Sequence, residues 1–424
     1  MNPRSTSPSG FLVAAVLASL VFSGGASAQE LLVPMDREQT NHLKAYGLAF
    51  LVLEAGETAE WLLNYRGGAF LLPDSERLRG EAALRGVSTE PVDAAAVARI
   101  RARMAEGNME AVPLEKAPKV AIYTPPNSTP WDDAVTMALE YADIPYDKIW
   151  DRDVITDGLE EWDWVHLHHE DFTGQYSKFY LSYAGSDWLQ EEVARNTEMA
   201  TELGYASVPA MKKAVASSIR EYVEGGGFLF AMCSATETLE LALAAGPVDI
   251  AASFADGTPP NPRANQMIDW VGSMAFEGAE VQTAPTVNAF SDIDAHQVNT
   301  PWRKELGVYT LFEFSAEFDP VPAMLTQNHE GVIEDFFGLT TSFREDLLKP
   351  GVVVLARESS WAKYIHGAWG EGTFTYFGGH DPEDPEHQIG DPPTDLDLHP
   401  NSPGYRLILN NVLFPAAKKQ KLKT

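Results

Sequence analysis

The chain has 424 residues, with 31 Lys or Arg against 61 Asp or Glu, for a net charge of −30 at pH 7. So acidic a chain argues against nucleic acid and anionic membranes as partners, and no later stretch approaches the ~20 apolar residues of a membrane span. Cys233 is the single cysteine, so no internal disulfide forms, and the thiol is either a small buried apolar group or a reactive one.

The chain opens on a targeting segment. Arg4, an apolar run from Phe11 to Phe22 and Ala26-Ser27-Ala28 fit a secretory signal cleaved after Ala28. No cysteine follows the run, so a lipid anchor is not expected. The product is expected to be secreted or periplasmic, and residues 29–424 are enough for two or three domains.

Residues 29–116 read as a small N-terminal α/β domain. Its expected elements are a helix over Glu38 to Glu54, strand-like runs in Ala59 to Leu72 broken by Gly67-Gly68, and a helix over Asp93 to Glu106. Pro113 and Pro118 mark a linker. Asn41-His42 and Asn64-Tyr65-Arg66-Gly67-Gly68 are the groups here that would approach a cleft.

Residues 117–416 read as a second domain. An apolar strand over Lys119 to Tyr123 leads to Thr129 as helix cap, Pro130 at the first position, and Asp132 and Asp133 in the first turn. Ala134, Met137, Ala138 and Tyr141 then fall on one inward face. Strands are expected over Tyr146 to Trp150 and Trp164 to His168. An aromatic insertion over 172–207 follows, with Tyr176, Phe179, Tyr180, Tyr183 and Trp188.

A helix over Val208 to Glu224 stops at Gly225 to Gly227, a buried strand runs over Phe228 to Met232, and a helix over Thr236 to Ala245 ends at Gly246. Cys233 therefore sits at a strand-to-helix elbow. Small neighbours, Ala231 and Ala235, leave room for the turn, and the helix's positive end is expected to stabilise the thiolate. Between Val248 and Arg303 the pattern is loop-like. Strands resume at Val308 to Phe312, Ala323 to Gln327 and Val352 to Ala356, with a hairpin over Ala362 to Gly378. A helix over Tyr405 to Leu413, capped by Asn401 or Ser402, precedes a basic tail, 417–424, expected to fray. This alternation predicts an α/β fold with a doubly wound parallel sheet and insertions.

Active groups gather at the carboxyl ends of strands in such sheets. Three clusters meet that description: Cys233, His166-Leu167-His168-His169-Glu170-Asp171, and Gly378-Gly379-His380-Asp381-Pro382-Glu383. A thiol nucleophile needs a base, and the base a carboxylate, which His380 with Glu383 or Asp381 would supply. The Ser234 N–H would stabilise an oxyanion. His168, His169 and Glu170, with Gly174 and Tyr176 beyond them, are expected to bind substrate.

Together these residues resemble the class I glutamine amidotransferase-like superfamily. That family carries a small-x-Cys-x-small elbow and a late strand ending in His-Pro-Glu. Here these stand as Ala231-Met232-Cys233-Ser234-Ala235 and His380-Asp381-Pro382-Glu383, with alanines in place of the family's glycines and one residue inserted. The strand into Gly379-His380 and the closing helix are similar to the ThuA branch. The resemblance spans roughly 117–416 and implies a flavodoxin-like fold, Cys233 as nucleophile, and His380 and Glu383 as its partners. The whole chain is also similar to secreted bacterial proteins labelled asparagine synthetase B. The cysteine at the mature N-terminus and the Ser-Gly-Gly-x-Asp-Ser loop of such synthetases are absent from this sequence. Hydrolysis of a small-molecule amide without a cofactor is the implied chemistry.

Two further readings come from the residues. His166, His168, Glu170 and Asp171, completed by His380, Asp381 or His387, would form a zinc or iron site of a metal-dependent hydrolase. The Trp and Tyr residues between 131 and 188 would suit a non-catalytic module that stacks on a carbohydrate-like ligand.

Overall fold

A computed structural model describes residues 1, 30–126, 133–178, 180–296, 307–335, 340–384 and 392–418. The signal segment, the Thr129-Pro130 cap, Phe179, His387 and tail residues 419–424 lie outside the described residues.

The N-terminal region begins with β1 (Glu30–Val33), α1 (His42–Glu54), β2 (Ala59–Leu63) and β3 (Ala69–Pro73). It continues through α2 (Glu76–Arg85), β4 (Glu90–Val92), α3 (Ala94–Ala105) and β5 (Glu110–Leu114). Asn41, Ser75 and Asp93 cap the three helices, each accepting a backbone N–H from the first turn. The strands form an antiparallel sheet in the order β4-β1-β3-β2-β5. Pro113, expected in a linker, lies in β5, an edge strand in which its missing N–H is tolerated.

The second region opens with β6 (Val120–Tyr123), α4 (Ala134–Ala142), β7 (Asp147–Ile149), α5 (Asp151–Thr156) and β8 (Trp164–Leu167). The insertion holds α6 (Tyr180–Tyr183) and α7 (Asp187–Glu202). It leads into α8 (Val208–Glu224), β9 (Phe228–Met232) and α9 (Cys233–Ala245). Then follow α10 (Ser253–Asp256), α11 (Ala264–Met267), β10 (Gly307–Leu311), α12 (Pro320–Leu325) and β11 (Val332–Asp335). The chain ends with β12 (Val353–Glu358), β13 (Trp361–Trp369), β14 (Gly372–Phe377) and α13 (Pro403–Leu413).

These strands form one mixed sheet in the order β11-β10-β12-β13-β14-β9-β8-β6-β7. The run β7-β6-β8-β9-β14 is parallel and the remaining pairings are antiparallel. Strand β14 thus belongs to both halves. It pairs antiparallel with β13 on one side and parallel with β9 on the other.

Alternate strand residues enter two different cores, as the two-residue period of a strand requires. Val120, Ile122, Phe228, Phe230 and Met232 pack with residues of α1, α4 and α13. Ala121, Tyr123, Val165, Leu167, Leu229 and Ala231 pack with residues of α8 and α9. Buried on both faces, the parallel strands are apolar almost throughout, so the fold is mixed α/β with helices on each side of the sheet. The N-terminal helix α1 shares the first core, and its Gly47 lies so close to α4 that an added Cβ would fall 1.8 Å from the Ala142 carbonyl oxygen.

Two local expectations are corrected. Ala323 to Gln327, read as a strand, is taken up largely by α12. Pro320 stands at the start of that helix, where its fixed φ is pre-set and its missing N–H would be unpaired anyway. Asp133, read as a first-turn residue, is itself the cap of α4 and accepts the N–H groups of Val135 and Thr136.

Candidate active site

The parallel strands deliver their following residues to one edge of the sheet. β8 runs into His168 to Asp171, β9 into Cys233, and β14 into Gly378-Gly379-His380. The pairings Leu167 with Ala231 and Phe377 with Met232 place the elbow between the other two strand ends. The first residues of α9 then bind the turn after β8. Ser234 Oγ donates to the His169 carbonyl at 3.0 Å, Ala235 N to the His168 carbonyl at 3.2 Å, and Thr238 Oγ1 to the Glu170 carbonyl at 2.7 Å.

Cys233 has φ +49°, a left-handed conformation that costs an ordinary side chain about 1–2 kcal/mol. The residue as a whole is half-buried. Burial pushes the thiol up to about 11, against the pull of the N–H and hydroxyl of Ser234, while the charges of Asp294 and Glu170 act in the same direction as burial. The expected preformed thiolate is therefore overturned. Desolvation and two carboxylates outweigh the positive end of α9.

Around this elbow the histidines cluster. The ring of His168 meets that of His380 edge-on at 4.7 Å and that of His169 at 5.2 Å, while His169 and His380 stack at 6.2 Å. His168 is buried and His169 exposed. Burial drives His168 down to about 4, so it is neutral near pH 7 despite Asp133 beside it. His166 lies deeper, with its ring against Trp164 and Phe230 and its Nδ1 3.0 Å from the Phe230 carbonyl oxygen.

Asp133 faces both inner rings, its Oδ1 standing 3.5 Å from His166 Nε2 and 3.4 Å from His168 Nδ1. Burial opposes its charge, but the two imidazoles hold it well below the usual carboxylate range. Two sets of side chains have ligand atoms that all lie within 4.8 Å of one another: His168, His169 and His380, and Asp133, His166 and His168.

The expected carboxylates are engaged with other groups. Glu383 pairs with His399 at 3.0 Å, and buried Asp381 accepts the Glu383 N–H at 3.0 Å and the Thr394 hydroxyl at 2.7 Å. Glu170 accepts the His168 N–H at 2.8 Å, and burial raises its carboxyl to about 7. Asp171 closes its own loop by accepting the N–H groups of Thr173, Gln175 and Ser177. Gly174 is a point of close backbone approach, where an added Cβ would fall 2.8 Å from the Pro209 Cα. Tyr176 is buried with Leu189 and Met211 in a small core beneath the insertion.

Sequence reasoning missed Asp133 as a site residue, and also Glu237 and Asp294. Glu237 is buried one turn beyond Cys233 on α9 and accepts the hydroxyls of Ser291 at 2.5 Å and Thr340 at 3.2 Å. Burial, with Asp294 beside it, raises its carboxyl to about 8. The four-residue spacing from Cys233 was a usable signal for Glu237. Asp294 arrives from the stretch that reads as plain loop.

No family model matches the chain, and no curated protein matches it. Among solved structures it is similar to two cytoplasmic proteins, one from Salmonella typhimurium and one from Salmonella typhimurium LT2. Each is 11% identical with a TM-score of 0.35, covering 71% of this chain and 100% of the other. It is also similar to a beta-galactosidase from Bacillus circulans sp. alkalophilus, 11% identical with a TM-score of 0.29, covering 68% of this chain and 32% of that one.

Proposed function

We propose that the protein is an exported cysteine hydrolase of small-molecule amides, built on a flavodoxin-like doubly wound sheet of the glutamine amidotransferase-like type. The parallel strands, numbered by their own order in the chain, lie 2-1-3-4-5 across the sheet, an order that supports this reading because flavodoxin-like folds use it. The observation that carries the reading is Cys233 held at φ +49° on the elbow after the fourth of these strands. A strained turn of that kind exposes a nucleophile at the top of a sheet.

With the thiol pushed up to about 11, attack and deprotonation occur together. His380 takes the proton from Cys233 as the sulfur bonds to the amide carbon. The oxyanion forms beside the Ser234 N–H. The amine leaves with the proton from His380, a thioester remains on Cys233, and water releases the acid and restores the thiol. In this scheme the rings of His168 and His169 pack against His380 and help to position it.

Brief incubation with a panel of carboxamides followed by acid quench tests the reading. Intact mass should rise by one acyl group on wild type and stay unchanged on Cys233→Ala. Amide turnover retained by Cys233→Ala would overturn it.

A further inference from the structure

We infer that Asp133, His166 and His168 form a binding site for one divalent transition-metal ion of the zinc or iron(II) class, set where β8 and the start of α4 meet. The inference is independent of the cysteine chemistry. It rests on how three buried groups face one another.

Nδ1 of His166 lies 3.0 Å from the Phe230 carbonyl oxygen, which can only accept a hydrogen bond. That nitrogen therefore carries the proton, and in the neutral ring Nε2 is left with a lone pair. This lone pair stands 3.5 Å from the Oδ1 atom of Asp133, and His168 Nδ1 stands 3.4 Å from the same oxygen. Neither contact meets hydrogen-bond geometry, although both nitrogens are buried and both rings favour the charge on Asp133. A lone pair set against a carboxylate oxygen repels it, so a cation lies between them, either a proton that makes His166 an imidazolium or a metal ion.

The separations suit a metal ion better than a proton. N–H···O bonds close to about 2.9 Å, whereas a tetrahedral ion with bonds of about 2.0–2.1 Å holds its ligand atoms about 3.3 Å apart. Two imidazoles and a carboxylate leave one tetrahedral position for water or substrate. The bond from His166 Nδ1 to the Phe230 carbonyl is the outer contact that orients a ligating histidine, and the N–H groups of Val135 and Thr136 fix Asp133 by donating to the same Oδ1 atom that faces the two rings.

The ligand set differs from the one expected from the local sequence. Glu170 and Asp171 hold backbone N–H groups, and Asp133 arrives instead from the cap of α4. Coordination through Nδ1 leaves the His168 proton on Nε2, which makes no hydrogen bond of its own. A metal here would turn His168 into a fixed donor beside His380.

The test uses the purified full chain stripped of metal and titrated with cobalt(II). Wild type should take up one equivalent and develop the visible absorption of a four-coordinate ion. Asp133→Asn and His166→Gln should weaken uptake by more than the roughly 10- to 100-fold that loss of an outer hydrogen-bonding partner costs, while His169→Asn and His380→Asn should bind within about twofold of wild type. Zinc(II) should also raise the wild-type melting temperature, a readout independent of whether the variants fold. No uptake by wild type, or equal uptake by Asp133→Asn, would overturn the site. So would loss of uptake in His380→Asn, which would place the ion on the outer histidines.

Discussion

Arg406 and Asp133 lie in two polar interiors that differ in how completely their hydrogen bonds are made. The Arg406 side chain, wholly buried, donates to the Tyr46 hydroxyl at 3.0 Å, to the Met35 carbonyl at 2.8 Å and to the Gly67 carbonyl, and it lies 3.3 Å from His329 Nδ1. His329 stacks at 4.0 Å on His42, whose backbone N–H donates to Asn401. Around Asp133 the nitrogens of His166 and His168 approach without bonding, and Cys233 nearby holds a strained backbone. The first interior ties the N-terminal region to α13. The second leaves polar atoms free to meet something from outside. Buried polar groups signal chemistry when they are unsatisfied, since a closed network is mainly structural.

Substitutions can break that contrast from either side. Cys233→Ser should lower amide turnover by at least about 1000-fold and change unfolding free energy by less than about 1 kcal/mol. Parallel rate and urea measurements check this, and a large stability loss would move Cys233 to the structural side. Arg406→Met should do the reverse. It strands the carbonyls of Met35 and Gly67 and should cost about 3 kcal/mol or more, with turnover per folded molecule unchanged.

Acid should expose a smaller difference. Burial lowers His366 from 6.5 to about 4, so the unfolded chain takes up a proton that the folded chain refuses. Its contribution is full above pH 6.5 and is lost as pH falls towards 4, at about 1.4 kcal/mol per pH unit. Urea midpoints at pH 4.5 and pH 7 should therefore converge in His366→Asn relative to wild type. The smallest effect belongs to Ser234→Ala. It removes the bond to the His169 carbonyl and should cost about 1 kcal/mol, read from the same urea curves.

Much of the scaffold was legible because its signals are local. Helix α8 runs over Val208–Glu224 as its apolar spacing and glycine stop predict, and α3 (Ala94–Ala105) falls within the expected Asp93 to Glu106. The β13–β14 hairpin also falls where alternation and glycine placed it. The site was legible only as separate strand ends. Nothing in the residues around Asp133 announces His166, since their meeting is set by the adjacency of β6 and β8 in the sheet. Glu383 reads as the partner of His380 from a three-residue spacing, yet His399, from the turn before α13, reaches it. Cys233 shows a conflict between levels. Its helix position favours a thiolate, while the carboxylates of Glu170 and Asp294 come from distant segments.

The double membership of β14 bears on how the molecule assembles. Its antiparallel partner β13 is its sequence neighbour, but its parallel partner β9 lies across most of the distal half of the chain, so one pairing closes a short loop and the other a very long one. The hairpin can form early, and the elbow gains its neighbour only when that hairpin docks. Refolding followed by pulsed alkylation should then show the single thiol becoming protected in the last phase, after most helical signal has returned. Protection that kept pace with the helices would mean that the long-range pairing forms first.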